Sequence, residues 1–494
     1  AMAIGGARGI WGRAALDFGA IEGVDLAERG SQLFQHVTRP LVGAPSVAYL
    51  NSTRAYGRLP EGKLKGAFAR LDETMDRLHD GTNRYLRRYR ITGSQLWPDL
   101  PRSACSVDGT CEPLLRGYFE GGDCNYWDWS LPELEQFLRT ADPAFVYDFA
   151  LWEAVTMAET ISFRPDPDTE AARSSFAGLS PCYGSGRGWG GPWVEGLNHR
   201  VGNCPGDYGY NKVHRLAYLL TADRRFTDFF DEGARTALRI YGDKARERPE
   251  EWLELSASRQ SAQYLEPLLD AAEFSRAGLG ESRRLRDATL GYFDFLAKNA
   301  MERGHTCSMT GTGYASPRMK GECVSAAQWM TPIWVDWVLR LEALYDHAPA
   351  RAWLLDFARQ SPRQTTVLDA RGLPDLGADR ARSPDNAANG WRTGYRCLAG
   401  PEGIRDETCR KITDWENESF YYANGLVAYL NALGMVREVD PEDALGLCRW
   451  LPGALVQALG RMSGPDLNDE VWGKATGQAF AFAQRALGGL GRCP

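Results

Sequence analysis

Apolar residues recurring every three or four positions constrain this chain more than any other feature. From Phe68, the residues Leu71, Met75, Leu78, Tyr85 and Leu86 fall on one face with charges between them, the pattern of an amphipathic helix. The same spacing predicts helices over 131–140, 143–162, 208–221, 225–241, 258–275, 281–303, 323–347, 350–360, 417–434, 441–459 and 468–488. In 143–162 the stripe is Phe145, Phe149, Trp152 and Val155; in 323–347 it is Trp329, Ile333, Trp337, Leu341 and Leu344. Thr221-Ala222-Asp223 breaks one helix from the next. Strand-like alternation is scarce, so the fold class is all-α. Helices in hairpin-like succession, with no long heptad and no exact repeat, predict an (α/α)6-like toroid. An irregular helical bundle is the alternative. Residues 1–65 read as an N-terminal extension packing on the barrel, and 66–494 as a single toroid domain.

Four long segments interrupt the helices: 93–130, 163–207, 304–322 and 361–416, rich in Gly, Pro, Asp and aromatics. Loops of this length in a compact domain are usually functional, and they read as the walls of a cleft on one rim. They hold most of the 11 cysteines. No two cysteines form a C-x-x-C pair, which leaves a zinc ribbon or a thioredoxin-type motif unsupported. Cys182 and Cys204, Cys307 and Cys323, and Cys397 and Cys409 each bracket a loop that a disulfide would restrain. Cys105 with Cys111 would clip a fourth, with the partners among 105, 111 and 124 left open, and Cys448 would reach Cys493. Disulfides imply an exported protein, secreted or periplasmic; reduced cysteines in a cytosolic enzyme are the alternative. No leader peptide is visible, so export rests on the cysteines alone.

Composition removes several function classes. A net charge of −7 argues against a dedicated nucleic-acid binder. No run of about 18 apolar residues is present to span a membrane. The 6 histidines are scattered and cannot fill paired three-histidine copper centres. There is no H-E-x-x-H, no G-x-S-x-G in a strand–turn–helix setting and no EF-hand loop. Neither a cofactor nor a metal is therefore expected.

The densest chemistry lies between Arg187 and Arg215. Trp189, Trp193, Glu195, Asn198, His199 and Arg200 are followed by Asp207, Tyr208, Tyr210, Asn211, Lys212, His214 and Arg215. Tyr210, Asn211 and His214 can share a helix face at this spacing. Asp207 serves equally as a helix N-cap, and His214 equally as a core residue. A sugar-binding role suits the loop tryptophans Trp127, Trp189, Trp193 and Trp415, whose indoles can stack on sugar faces; Trp329, Trp334 and Trp337 read as core.

The run Asp207-Tyr208-Gly209-Tyr210-Asn211-Lys212-Val213-His214-Arg215-Leu216-Ala217-Tyr218-Leu219-Leu220-Thr221-Ala222-Asp223 resembles helix-pair segments of the (α/α)-toroid polysaccharide lyases and related glycoside hydrolases. Asn417-Glu418-Ser419-Phe420-Tyr421-Tyr422-Ala423-Asn424-Gly425 has the same character. Asn198-His199 is similar to the Asn-Asn-His of alginate and heparin lyases, with Leu197 in place of the first Asn. The resemblance covers 208–240 and 415–434; it implies the toroid and a polysaccharide or oligosaccharide substrate, and names no sugar. A lyase needs a group that neutralises a uronate carboxylate, a base for the C5 proton and an acid for the leaving oxygen. Asn198 or Arg200 would neutralise, His199 or His214 would abstract, and Tyr208 or Tyr210 would donate, with Asn211 and Arg215 beside the substrate. A hydrolase instead needs two carboxyl groups flanking the bond, drawn from Glu195, Asp207, Glu322, Glu416, Glu418, Asp123 and Asp128. The expectation is an exported enzyme that cleaves a polysaccharide, with elimination slightly ahead of hydrolysis. A non-catalytic glycan binder is the third reading.

Overall fold

The structure, a computed structural model, describes residues 41–53, 56–88, 130–160, 212–238, 259–276, 278, 283–299, 331–365, 483–485 and 487–489, isolated residues near the N-terminus, and the backbone of short strands. Helices dominate it. In chain order they are α1 (Val47–Thr53), α2 (Ala69–Arg88), α3 (Ser130–Thr140), α4 (Ala144–Tyr147), α5 (Ala150–Thr160), α6 (Lys212–Thr221), α7 (Arg224–Ala237), α8 (Arg259–Phe274), α9 (Arg283–Asn299), α10 (Thr331–Tyr345) and α11 (Ala348–Thr365). None is long and apolar enough to cross a membrane among the described residues.

The expected stripes are the buried ones. Leu71, Met75 and Leu78 of α2 lie inside, as do Phe145, Phe149 and Val155 of α4 and α5 with the turn between them, and Trp337 and Leu341 of α10. Neighbours in sequence pack as neighbours in space: α3 on α4, α5 and α6; α6 on α7; α7 on α8; α8 on α9 and α10; α10 on α11. Phe149, Phe226, Phe230, Phe293, Trp337 and Phe357 are the largest fully buried side chains. Helix α3 is interior on every side, with each residue from Ser130 to Arg139 buried.

Three helices stop on a residue with left-handed backbone that is not glycine: Ala141 (φ 57°) after α3, Ala222 (φ 52°) after α6 and Asp346 (φ 48°) after α10. Each N–H closes a bond four residues back, to Phe137, Tyr218 and Glu342 respectively, at 2.7, 2.7 and 2.8 Å, the left-handed capping arrangement. At the middle stop the chain restarts at once, because the Asp223 side chain caps α7 by accepting from the Arg225 N–H at 3.1 Å. The expected break at 221–223 is therefore where one helix is capped and the next begins.

Several boundaries differ from the sequence expectation. The helix expected over 143–162 is two, α4 and α5, separated at Asp148 and Phe149; the Asp148 carboxylate accepts from Asn83 at 2.7 Å. The one expected from 208 is described from Lys212, and the one expected from 323 starts at Thr331, after a strand at Ser325–Ala327. The helix expected over 350–360 runs from Ala348 to Thr365. Those expected over 417–434 and 441–459 lie outside the described residues. So do most of the cysteines. Strands are two to four residues long: Ala104–Cys105 pairs with Cys111–Glu112, placing Cys105 opposite Cys111 in register, and Met301–Glu302, His305–Ser308, Ser325–Ala327 and Tyr395–Cys397 form an antiparallel ladder.

Of the residues before 66, described positions between 43 and 62 pack into the core. Val47, Tyr56 and Leu59 are buried, the Gly43 N–H donates to the Leu220 carbonyl at 2.7 Å and the Gly62 N–H to the Arg139 carbonyl at 3.0 Å.

Candidate functional site

Of the residues singled out in the sequence, Trp127, Trp189, Glu195, Asn198, Asp207, Tyr208, Tyr210, Asn211, Trp415, Glu416 and Glu418 lie outside the described residues. Trp193 and His199–Arg200 belong to a two-stranded antiparallel pair, Trp193 opposite Arg200 and Val194 opposite His199. That register joins a tryptophan, a histidine and an arginine of the expected cluster on adjacent strands.

His214 and Arg215 are fully described, and they point into different surroundings. His214 is 1% exposed, 4.3 Å from the Phe229 ring centre and 5.8 Å from that of Phe226. Burial pushes its pKa down to about 3, only partly opposed by the Ala154 backbone. The ring is neutral at neutral pH and packs as a core aromatic. Arg215 donates to Glu273 at 3.0 Å and lies over the Tyr56 ring at 5.7 Å.

Arg215 opens onto the largest polar feature described, an ionic network buried between helices. Its near end is Tyr56, whose hydroxyl donates to Glu135 of α3 at 2.9 Å. Arg485 reaches the same Glu135 oxygen at 3.0 Å and also pairs with Asp336 of α10, which in turn binds Lys212, the first residue of α6. One turn along α10, Arg340 gathers three carboxylates of α8: Glu266, Asp270 at 2.8 Å and Glu273 at 2.6 Å. Asp336 and Arg340 are four apart, as are Glu266 and Asp270, so each pair sits on one helix face. Charges this deep persist only when paired, because desolvation disfavours each ion taken alone.

The network splits its acids into two kinds. Burial pushes the Glu135 and Asp270 carboxyls up to about 7, against the pull of Arg485 on the first and Arg340 on the second. Burial acts the same way on Asp336 and Glu273, but there the cations win, Arg485 and Lys212 on Asp336 and Arg340 and Arg215 on Glu273, and both stay low. Glu135 and Asp270 can thus take up or release a proton near neutrality, while Asp336 and Glu273 are fixed anions.

Two smaller clusters flank it. His79 of α2 sits between carboxylates, its Nδ1 2.8 Å from Glu133 and its Nε2 3.3 Å from Asp148. Burial alone would lower its pKa; hydrogen bonds to Asp148 and Glu133 outweigh that and raise it to about 10. Arg139 donates to Asp72 at 3.0 Å, to the Gln136 side chain at 2.8 Å and to the Gln484 side chain at 3.1 Å. Among the described residues, no group of three or more His, Cys, Asp or Glu is arranged to hold a metal ion.

Comparison with protein-family models, with curated proteins and with solved structures finds no match to this chain. The reading of function therefore rests on residues. Of the network, the sequence points to Lys212 and Arg215 but not to Tyr56, Glu135, Glu266, Asp270, Glu273, Asp336, Arg340 or Arg485. A signal was present for α10: in Thr331-Pro332-Ile333-Trp334-Val335-Asp336-Trp337-Val338-Leu339-Arg340 the only two charges are four apart in an apolar run, and charges in such a setting are seldom buried unless paired.

Proposed function

We propose that this chain is an exported carbohydrate-active enzyme, folded as an (α/α) toroid with a disulfide-clipped cleft on one rim, that cleaves a uronate-containing polysaccharide by β-elimination. The observation that carries the reading is the anchoring of Lys212. The segment 187–211 concentrates Asn, His, Tyr and Arg, and the residue that follows it is buried and tied to Asp336. A catalytic segment needs such a fixed point at its end, since small displacements of positioned groups are costly. The succession of helices, each packed on the next, suits a toroid.

Arg200 or Asn198 neutralises the uronate carboxylate. His199 takes the C5 proton; the electron pair left behind forms the C4–C5 double bond as the C4–O bond breaks, and Tyr208 or Tyr210 protonates the departing oxygen. His214, neutral among phenylalanines, is assigned to packing, and Arg215 to the network.

The test is a panel of neutral and uronate-containing polysaccharides, read for ultraviolet absorbance and new reducing ends together. Both signals are expected with a uronate polymer, and His199→Ala abolishes them while leaving binding intact. Reducing ends without absorbance would replace this reading with hydrolysis and direct mutagenesis to Glu195, Asp207, Glu416 and Glu418. Binding without either signal would make the chain a glycan-binding protein.

A further inference from the structure

Helical residues 483–485 and 487–489 touch parts of the molecule that are far apart in sequence. Gln484 donates to the Pro132 carbonyl at 2.8 Å and accepts from Arg139 at 3.1 Å. Arg485 bridges Glu135 of α3 and Asp336 of α10, and its guanidinium lies 5.5 Å from the Tyr56 ring centre. Ala483 and Leu487 are buried. Gly488 runs so close to the backbone of Arg58 that a methyl group would overlap its carbonyl; only glycine permits that approach. Through Asp336 the same contact extends to Lys212 at the start of α6.

We infer that residues 483–485 and 487–489 act as a strap that fastens α3, α6 and α10 to one another and to the 56–59 segment, so that its release opens these elements together as one unit. Packing and charge support this separately. Gly488 and Leu487 seat the strap against 58–59, while Arg485 supplies a cation shared by two acids on different helices. Withdrawing it leaves Glu135 and Asp336 with less compensation in a buried setting, which is costly. Helix α9 packs on α8 and α11 and meets α10 through Phe293 and Trp337, whose ring centres are 6.0 Å apart, so it borders this unit at α10.

Hydrogen exchange of the full chain, read by mass spectrometry, tests the inference. Arg485→Met removes the shared cation, and Gly488→Ala lifts the strap without touching a charge. Each is expected to raise exchange by about tenfold or more in 130–140, 212–221 and 331–345 together, with a smaller rise in 283–299, which borders the unit. Increased exchange confined to 483–489 would overturn the inference. Should either variant fail to fold, the unmodified chain in increasing urea decides the matter. Peptides 483–489, 130–140, 212–221 and 331–345 are expected to share one opening transition, below that of 283–299. A strap that opens alone, or a single transition that includes 283–299, would overturn it.

Discussion

His79 and Glu135 are buried ionisable side chains that act on stability in different pH windows. The folded-state pKa of His79 is about 10, above the unfolded value near 6.5. Its contribution is therefore fully present below about pH 6.5 and lost as pH rises through about 10. His79→Gln is expected to cost about 3–5 kcal/mol at pH 6, and the difference from the unmodified chain should shrink steadily towards pH 10 in urea unfolding. Glu135 is also raised, to about 7, but it is an acid, so the folded state holds its proton between pH 4.5 and 7. Stability from this group falls as pH climbs through that window. Glu135→Gln should flatten that part of the stability profile, measured the same way; a slope equal to that of the unmodified chain would contradict the placement of Glu135. Neither residue was legible in the sequence. In Ser130-Leu131-Pro132-Glu133-Leu134-Glu135-Gln136-Phe137-Leu138-Arg139 every polar residue is buried, and partners of Glu133, Glu135 and Arg139 come from residues tens to hundreds of positions away.

At the scale of the helix, periodicity was a good guide to where α2, α3, α6, α7, α8, α9, α10 and α11 form and which residues face inward. Boundaries were less legible: no Gly or Pro in the sequence marks the break between α4 and α5 at Asp148 and Phe149. The helix stops carry a prediction of their own. Ala141, Ala222 and Asp346 bear the strain of left-handed backbone, which glycine avoids. Replacing any one of them by glycine is expected to raise stability by roughly 0.5–1 kcal/mol, net of the greater freedom glycine has when unfolded. Thermal melts of the three single variants check this, and a fall in all three would refute it.

The whole molecule was read from the sequence as helical, and the described residues are. Its expected catalytic segment, by contrast, meets the described structure only at a strand pair and at α6. The buried network that ties α6 into the rest was invisible in sequence, since its members come from six separate stretches from Tyr56 to Arg485. The cysteines allow a test at this scale. With 11 in the chain, five clips leave one thiol. Titration of the unfolded, unreduced protein should find one free thiol per chain, and eleven after reduction; eleven before reduction would remove the case for export.

A ribosome would make Pro132 long before Gln484, to which it is joined across 352 positions. At ordinary elongation rates of about 5–20 residues per second, that interval lasts roughly 20–70 s. Throughout it, Glu135 waits for Arg485 and Arg139 for Gln484. The nascent protein therefore cannot complete the surroundings of its own interior helix until residues 484 and 485 have been added.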